Sequence, residues 1–156
     1  MPGIYSLSPY TPEEIVARDY LLSQSPDVIL NIVDGTNLER NLYLTTQLAE
    51  MGIPMVIAVN MMDVVKKRGD SINCKALSQK MGIPAFEISA VKGDGIREVI
   101  VAAKKVAGGT PPKIDGLFSG DLAAALSETG KKIASLPDVT GQNRRWYAVK
   151  LFERDE

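Results

Sequence analysis

Two short polar runs carry the residue types with the most chemical meaning: Asn60-Met61-Met62-Asp63 and Ser89-Ala90-Val91-Lys92. Each follows an apolar stretch introduced by Gly-Ile-Pro. In the first run, the Asp63 carboxylate could accept two N–H donors at once, and the N1 and exocyclic N2 protons of guanine form such a pair. Adenine lacks it, so a site built around Asp63 leaves a charge unpaired when the wrong base enters. Asn60 would tie its loop to neighbouring elements. In the second run Ser89, Ala90 and Val91 form a loop in which a small residue, Ala90, lets its backbone N–H point at the guanine O6 acceptor. The same residues also suit polar turns that cap strands, and Asn-x-x-Asp alone is a short pattern. What favours guanine is their placement at the ends of two consecutive apolar runs, because open parallel sheets bind ligands beyond the carboxyl ends of their strands.

Gly3 is a third candidate. It follows Pro2 and precedes a Ser/Tyr/Pro-rich stretch, and in nucleotide switches a glycine so placed lets its backbone N–H approach a γ-phosphate. By itself Pro-Gly is a turn. No Gly-x-x-x-x-Gly-Lys-Ser/Thr phosphate loop occurs in the chain. Thr129-Gly130-Lys131-Lys132 imitates its end, but Ala125 stands at the first glycine and Lys132 where the hydroxyl belongs. Gly93-Asp94-Gly95 lacks the third glycine of a dinucleotide fingerprint, Glu98 standing there. With one cysteine, Cys74, and no histidine, the chain has no internal disulfide, no Cys/His metal cluster and no imidazole base. No catalytic or metal-binding residue is assigned, and Cys74 reads as a semi-buried helix residue.

The elements that must position these residues follow from hydrophobic periodicity. Three nearly continuous apolar runs, Asp27–Asp34, Pro54–Asn60 and Pro84–Ser89, predict strands covered on both faces. Thr11-Pro12-Glu13-Glu14 predicts a helix capped by Thr11 and boxed by Glu14, running to about Gln24. Thr36-Asn37-Leu38-Glu39 repeats that spacing and opens a helix with Leu38, Leu42, Thr45 and Leu48 on one face, stopped by Gly52. A shorter helix spans Asn73 to Met81, and Ile96, Val99, Ile100 and Ala103 mark another. The alternation predicts an α/β fold with a parallel three-stranded sheet and flanking helices. After Gly108-Gly109-Thr110-Pro111-Pro112-Lys113 the pattern becomes helical only, with Leu122, Ala123, Leu126 and Ile133 in one stripe and Trp146, Val149 and Phe152 in another.

Bulk composition agrees. The 156 residues, 45% hydrophobic, suit a globular core, and 18 Lys+Arg against 19 Asp+Glu leave a net charge of -1. That balance gives no reason to expect nucleic acid or an anionic membrane surface as partner. Neither a signal peptide nor an apolar run of the roughly 18 to 20 residues that span a bilayer is present, so the chain is expected to be soluble and cytoplasmic.

Pro2 to Thr11, Asn31-Ile32-Val33-Asp34 with Thr36 to Leu44, and Val59-Asn60-Met61-Met62-Asp63 resemble the G domain of the ferrous-iron transporter family FeoB. Arg145 to Phe152 is similar to a helix of the spacer domain that follows it. The resemblance implies a partial Ras-like G domain with GTP or GDP as ligand: Asn60 and Asp63 as the base-specificity loop, Ser89, Ala90 and Val91 as the second guanine loop, and Gly3 as the switch II glycine. It implies Mg²⁺ in the intact family, with its ligands absent here, since the family's switch II motif is Asp-x-Pro-Gly and Met1 occupies the x. It places the phosphate loop, the switch I threonine and the first three strands before Met1. Residues 1–107 are then the C-terminal part of a G domain, 108–116 a linker, and 117–156 the start of a helical spacer. The family is a regulatory GTPase at the cytoplasmic face of the cell membrane, coupled to a membrane domain that moves Fe²⁺; this stretch alone is expected to bind guanine without hydrolysing GTP. Its Asp27–Asp34 strand would have an open apolar edge, expected to pair with another copy or exchange elements with it. A G domain of another GTPase family, such as a ribosome-assembly or tRNA-modification protein, is disfavoured by the Thr36 to Leu44 match. A non-catalytic interaction module that has kept the fold and lost the ligand is the alternative of another class.

Overall fold

The hydroxyl of Thr11 accepts the Glu14 N–H at 3.3 Å and Pro12 fills the first turn, so α1 (Pro12–Gln24) begins where the sequence predicts. The Glu14 carboxylate reaches back past Thr11 to accept the backbone N–H of Ser6 at 3.1 Å. The computed structural model describes residues 4, 6–7, 11–112, 120–141 and 143–153. Gly3 and the stretch 113–119, where the linker gives way to the expected spacer, lie outside the described residues.

Among the described residues the sheet has three parallel strands, β1 (Ile29–Asp34), β2 (Met55–Asn60) and β3 (Ala85–Glu87), in the order β1-β2-β3. Asp34 pairs with Asn60 and Val59 with Glu87, so the carboxyl ends of all three strands converge. β3 is shorter than its apolar run because Ile88 and Ser89 leave the ladder, although the Ile88 N–H still donates to Val59 O at 2.8 Å.

Helices connect the strands. Asp34, not Thr36, is the capping group after β1: its Oδ1 accepts the Thr36 N–H at 2.8 Å and the Thr36 hydroxyl at 2.7 Å, holding a 3-10 turn over Gly35–Asn37. From that turn α2 (Leu38–Glu50) returns the chain, and Gly52, at φ 69°, ends it. Two helices separate β2 from β3: α3 (Met62–Lys67), which no cap predicts, and α4 (Cys74–Met81), whose Asn73 side chain accepts the Ala76 N–H at 2.9 Å. α5 (Ile96–Val106) follows β3.

Two cores sandwich the sheet. Met55, Ile57 and Val59 of β2 join Ala17, Leu48 and Ile83 on one side, whereas Val56 and Ala58 join Val99 and Ile88 on the other. β2 is therefore buried on both faces, as its apolar run predicts. β1 is not: Leu30 and Ile32 are 41% and 59% exposed. The register sets them beside Val56 and Ala58, on the face that α5 covers, and α5 lies against β2. The outer edge of β1 has no strand partner among the described residues, and a groove of about 950 Å³ runs along it between α1 and α2.

The C-terminal helices α6 (Gly120–Ile133) and α7 (Arg144–Glu153) form a hairpin. Gly130, the glycine of the Gly-Lys-Lys imitation, sits within α6, where a side chain would meet the Arg144 stem at 3.7 Å; it is a helix-crossing contact. Trp146 is buried in the main core, but Phe152, expected on the same stripe, is 52% exposed. Each three-residue step falls about 60° short of a full helical turn, so two steps carry Phe152 off the buried face. Among the described residues no helix is long and apolar enough to cross a membrane.

Candidate functional site

The two polar runs meet at the carboxyl end of the sheet. Asn60 closes β2, and its Oδ1 accepts the backbone N–H of Ala90 at 3.0 Å. Three residues on, the Asp63 Oδ1 accepts the Ser89 hydroxyl at 2.9 Å. Two side chains of the first run thus accept from the second, one from the Ala90 backbone and one from the Ser89 hydroxyl. The Ala90 N–H, the donor that the sequence aims at an incoming exocyclic carbonyl oxygen, is engaged by Asn60 here.

Local backbone geometry explains how Asp63 gets there. Met61 adopts the left-handed conformation, at φ 63°, which turns the chain from β2 straight into α3. A non-glycine residue in that region costs about 1 kcal/mol or more and marks a backbone held by its surroundings. Here the Met62 N–H donates to Ile88 O at 3.2 Å, and the Val64 and Val65 N–H groups both reach Met61 O at 3.0 Å. Asp63 therefore stands in the first turn of α3. The Ser89 hydroxyl holds its carboxyl below the usual aspartate range, aided by the Asp63 and Val64 peptide N–H groups and the Lys92 charge.

The second loop is closed on itself. Buried Ser89 donates its N–H to Asp94 O at 3.1 Å and accepts the Gly93 N–H at 2.8 Å. Gly95, at φ 73°, lies so close to the Glu87 carbonyl oxygen that a Cβ would collide with it. Gly35 plays the same part across the sheet, where a Cβ would come within 2.8 Å of the Asn60 carbonyl oxygen. The exposed pair Lys66 Nζ–Glu87 Oε2, at 2.7 Å, links α3 to β3 but carries little stabilising weight at the surface.

Asn60, Asp63, Ser89 and Ala90 are brought together as their spacing predicts. Val91 belongs to the same loop but is 94% exposed. Sequence reasoning missed the positioning roles of Gly35, Met61 and Gly95; for the two glycines the only signal is a glycine directly after a strand or before a helix. No group of three or more His, Cys, Asp or Glu among the described residues could hold a metal ion. Burial pushes the Cys74 thiol up, away from thiolate chemistry.

Comparison with known proteins gives the setting. The family model for ferrous iron transport protein B matches residues 1–103. A Fe(2+) transport protein A/Fe(2+) transporter FeoB fusion protein of Porphyromonas gingivalis is 43% identical over 163 residues, covering 100% of this chain and 19% of that protein. The Fe(2+) transporter FeoB of Escherichia coli K12 is 33% identical over 159 residues, covering 99% of this chain and 20% of that protein. Among solved structures, NFeoB from S. thermophilus bound to GDP·AlF4⁻ and K⁺ aligns with a TM-score of 0.91 and 49% identity over 100% of this chain and 60% of that one. The mGMPPNP-bound form of NFeoB from S. thermophilus gives a TM-score of 0.89 at 49% identity, over 99% and 57% of the two chains. The chain thus spans about a fifth of the length of the curated relatives it matches.

A carbon-13 pH titration of the Asp63 carboxyl will give a midpoint below the reference of about 3.9. Ser89→Ala will raise that midpoint, because the hydroxyl is the largest influence holding it down. A midpoint that Ser89→Ala leaves unmoved contradicts the assigned hydrogen bond.

Proposed function

The chain belongs to the ferrous iron transport protein B family, and on that premise we propose that it recognises the guanine base in the nucleotide-binding domain of an Fe²⁺ transporter. The observation that carries this reading is the Asp63–Ser89 hydrogen bond, 2.9 Å long. It occupies one of about four lone-pair positions on a carboxylate and leaves acceptors for the N1 and N2 protons of guanine. Guanine O6 then takes a share of the Ala90 N–H from Asn60. The GDP and GMPPNP ligands of the S. thermophilus relatives support the same ligand class here. Val91 completes the second loop, and Gly3 serves as the switch II glycine.

None of the 156 residues forms a Gly-x-x-x-x-Gly-Lys-Ser/Thr loop. Base contacts alone do not neutralise the charge of phosphoryl transfer, so the proposal gives this chain recognition without hydrolysis and with no Mg²⁺ ligands of its own. In the whole transporter the domain regulates Fe²⁺ uptake from the cytoplasmic face. Residues 1–107 make up the G-domain part, 108–116 the linker, and 117–156 the opening of the helical spacer. Titration with fluorescent GDP and ADP tests the base site. GDP will bind more tightly, and Asp63→Asn will weaken it by about ten- to a hundredfold while strengthening XDP, whose C2 carbonyl suits an amide donor. Equal affinity for GDP and ADP at millimolar ligand overturns the reading and leaves the interaction module standing.

The unpaired outer edge of β1 favours a second property, self-association. Exposed Leu30 and Ile32 lie beside backbone groups that have no strand partner among the described residues, and such an edge templates pairing with a second copy. Analytical ultracentrifugation will show a concentration-dependent dimer that Ile32→Lys weakens. A well-folded monomer at all concentrations contradicts the pairing.

A further inference from the structure

α2 ends in a carboxylate that base recognition does not use. Glu50 is 5% exposed, and α2, which it ends, lies against α7. Three charged groups of α7 act on it: Arg145 and Lys150 favour its ionised form, and Glu153 opposes it. Lys150 is shared, donating to Glu153 Oε2 at 3.0 Å and lying 4.8 Å from the centre of the Trp146 ring. Burial outweighs the two cations and pushes Glu50 up to about 7. The chain has no histidine, so no other side chain ordinarily titrates between about pH 5 and 8.

One helical turn before Glu50, Gln47 Oε1 accepts the Leu7 N–H at 2.7 Å and the Ser6 hydroxyl at 3.2 Å. Fully buried Leu7 shares a cavity of about 310 Å³ with Trp146, Tyr147 and Lys150. Arg18 and Asp19 of α1, paired at 3.2 Å, also line that cavity. Consecutive turns of α2 therefore hold residues 6–7 and α7.

We propose that Glu50 is a proton-operated latch between α2 and the α6–α7 hairpin: protonated, it seats α7 on α2 with Trp146 in the core, and ionised, it loosens that seat. Because the carboxyl is raised above its value in the opened chain, about 4.5, the docked state holds a proton that the opened state has lost. The latch is at full strength below about 4.5, weakens as pH rises toward about 7, and contributes nothing further above it. Through the shared cavity, the same proton bears on residues 6–7.

Trp146 is the only tryptophan, so its emission reports the latch directly. In the full chain we expect a one-proton transition of that emission centred near 7, with an unchanged far-UV circular dichroism spectrum. Glu50→Gln, which keeps the shape and cannot ionise, will abolish it, whereas titration of the N-terminal amine is common to both proteins. A transition that survives in Glu50→Gln, or none in the unsubstituted chain, overturns the proposal. If Glu50→Gln loses its helical signal, amide exchange of α7 in the unsubstituted chain decides. Corrected for the intrinsic rate, protection will fall about tenfold per pH unit between about pH 5 and 7 and level off above; protection independent of pH overturns the latch.

Discussion

The ends of β2 and β3 are tied to each other by two hydrogen bonds, both donated from the loop after β3. Asn60 at the end of β2 accepts from the Ala90 backbone, and Ser89 beyond β3 donates to Asp63 in α3. For both to form, the two strands must end level, so the β2–β3 register is a condition of the site. The left-handed turn at Met61 must deliver Asp63 at once, leaving no room for a longer loop. Gly35 and Gly95 must lack side chains, because the carbonyl oxygens of Asn60 and Glu87 occupy the space. The burial of β2 on both faces fixes the platform on which these conditions meet.

Which parts of this were legible in the sequence follows from how local each constraint is. Apolar runs bounded by Gly-Ile-Pro announce β2 and β3, and the Thr11 cap announces α1, because periodicity and capping act within a few residues. That Asn60, Asp63, Ser89 and Ala90 meet was legible for a related reason: runs that close two neighbouring parallel strands emerge at the same end of the sheet. α3 was not, since six residues opened by a left-handed methionine carry neither a capping side chain nor a periodic stripe. The exposed face of β1 was equally hidden, because its composition matches β2 and only the lateral position of α5 distinguishes them. The need for glycine at 35 and 95 comes from atoms far along the chain or across the sheet.

α2 connects the two regions of interest. It begins at the Asp34-capped turn whose Gly35 touches Asn60, and it ends at Glu50 against α7. Over 13 residues such a helix is about 20 Å long, and it presents Thr45 to Asn31 of β1 by a buried hydrogen bond of 2.8 Å on the way. A helix that meets the end of β2, the sheet, residues 6–7 and the C-terminal hairpin is suited to make those regions respond together.

Base recognition without a phosphate grip is the central claim, and the bare nucleoside tests it most directly. In amide-resolved spectra of the chain titrated with guanosine, the Ala90 resonance is predicted to move as O6 takes its N–H from Asn60. Adenosine, which offers no acceptor at that position, is predicted to leave it in place. An Ala90 resonance that stays fixed with guanosine, or moves equally with adenosine, would contradict the account.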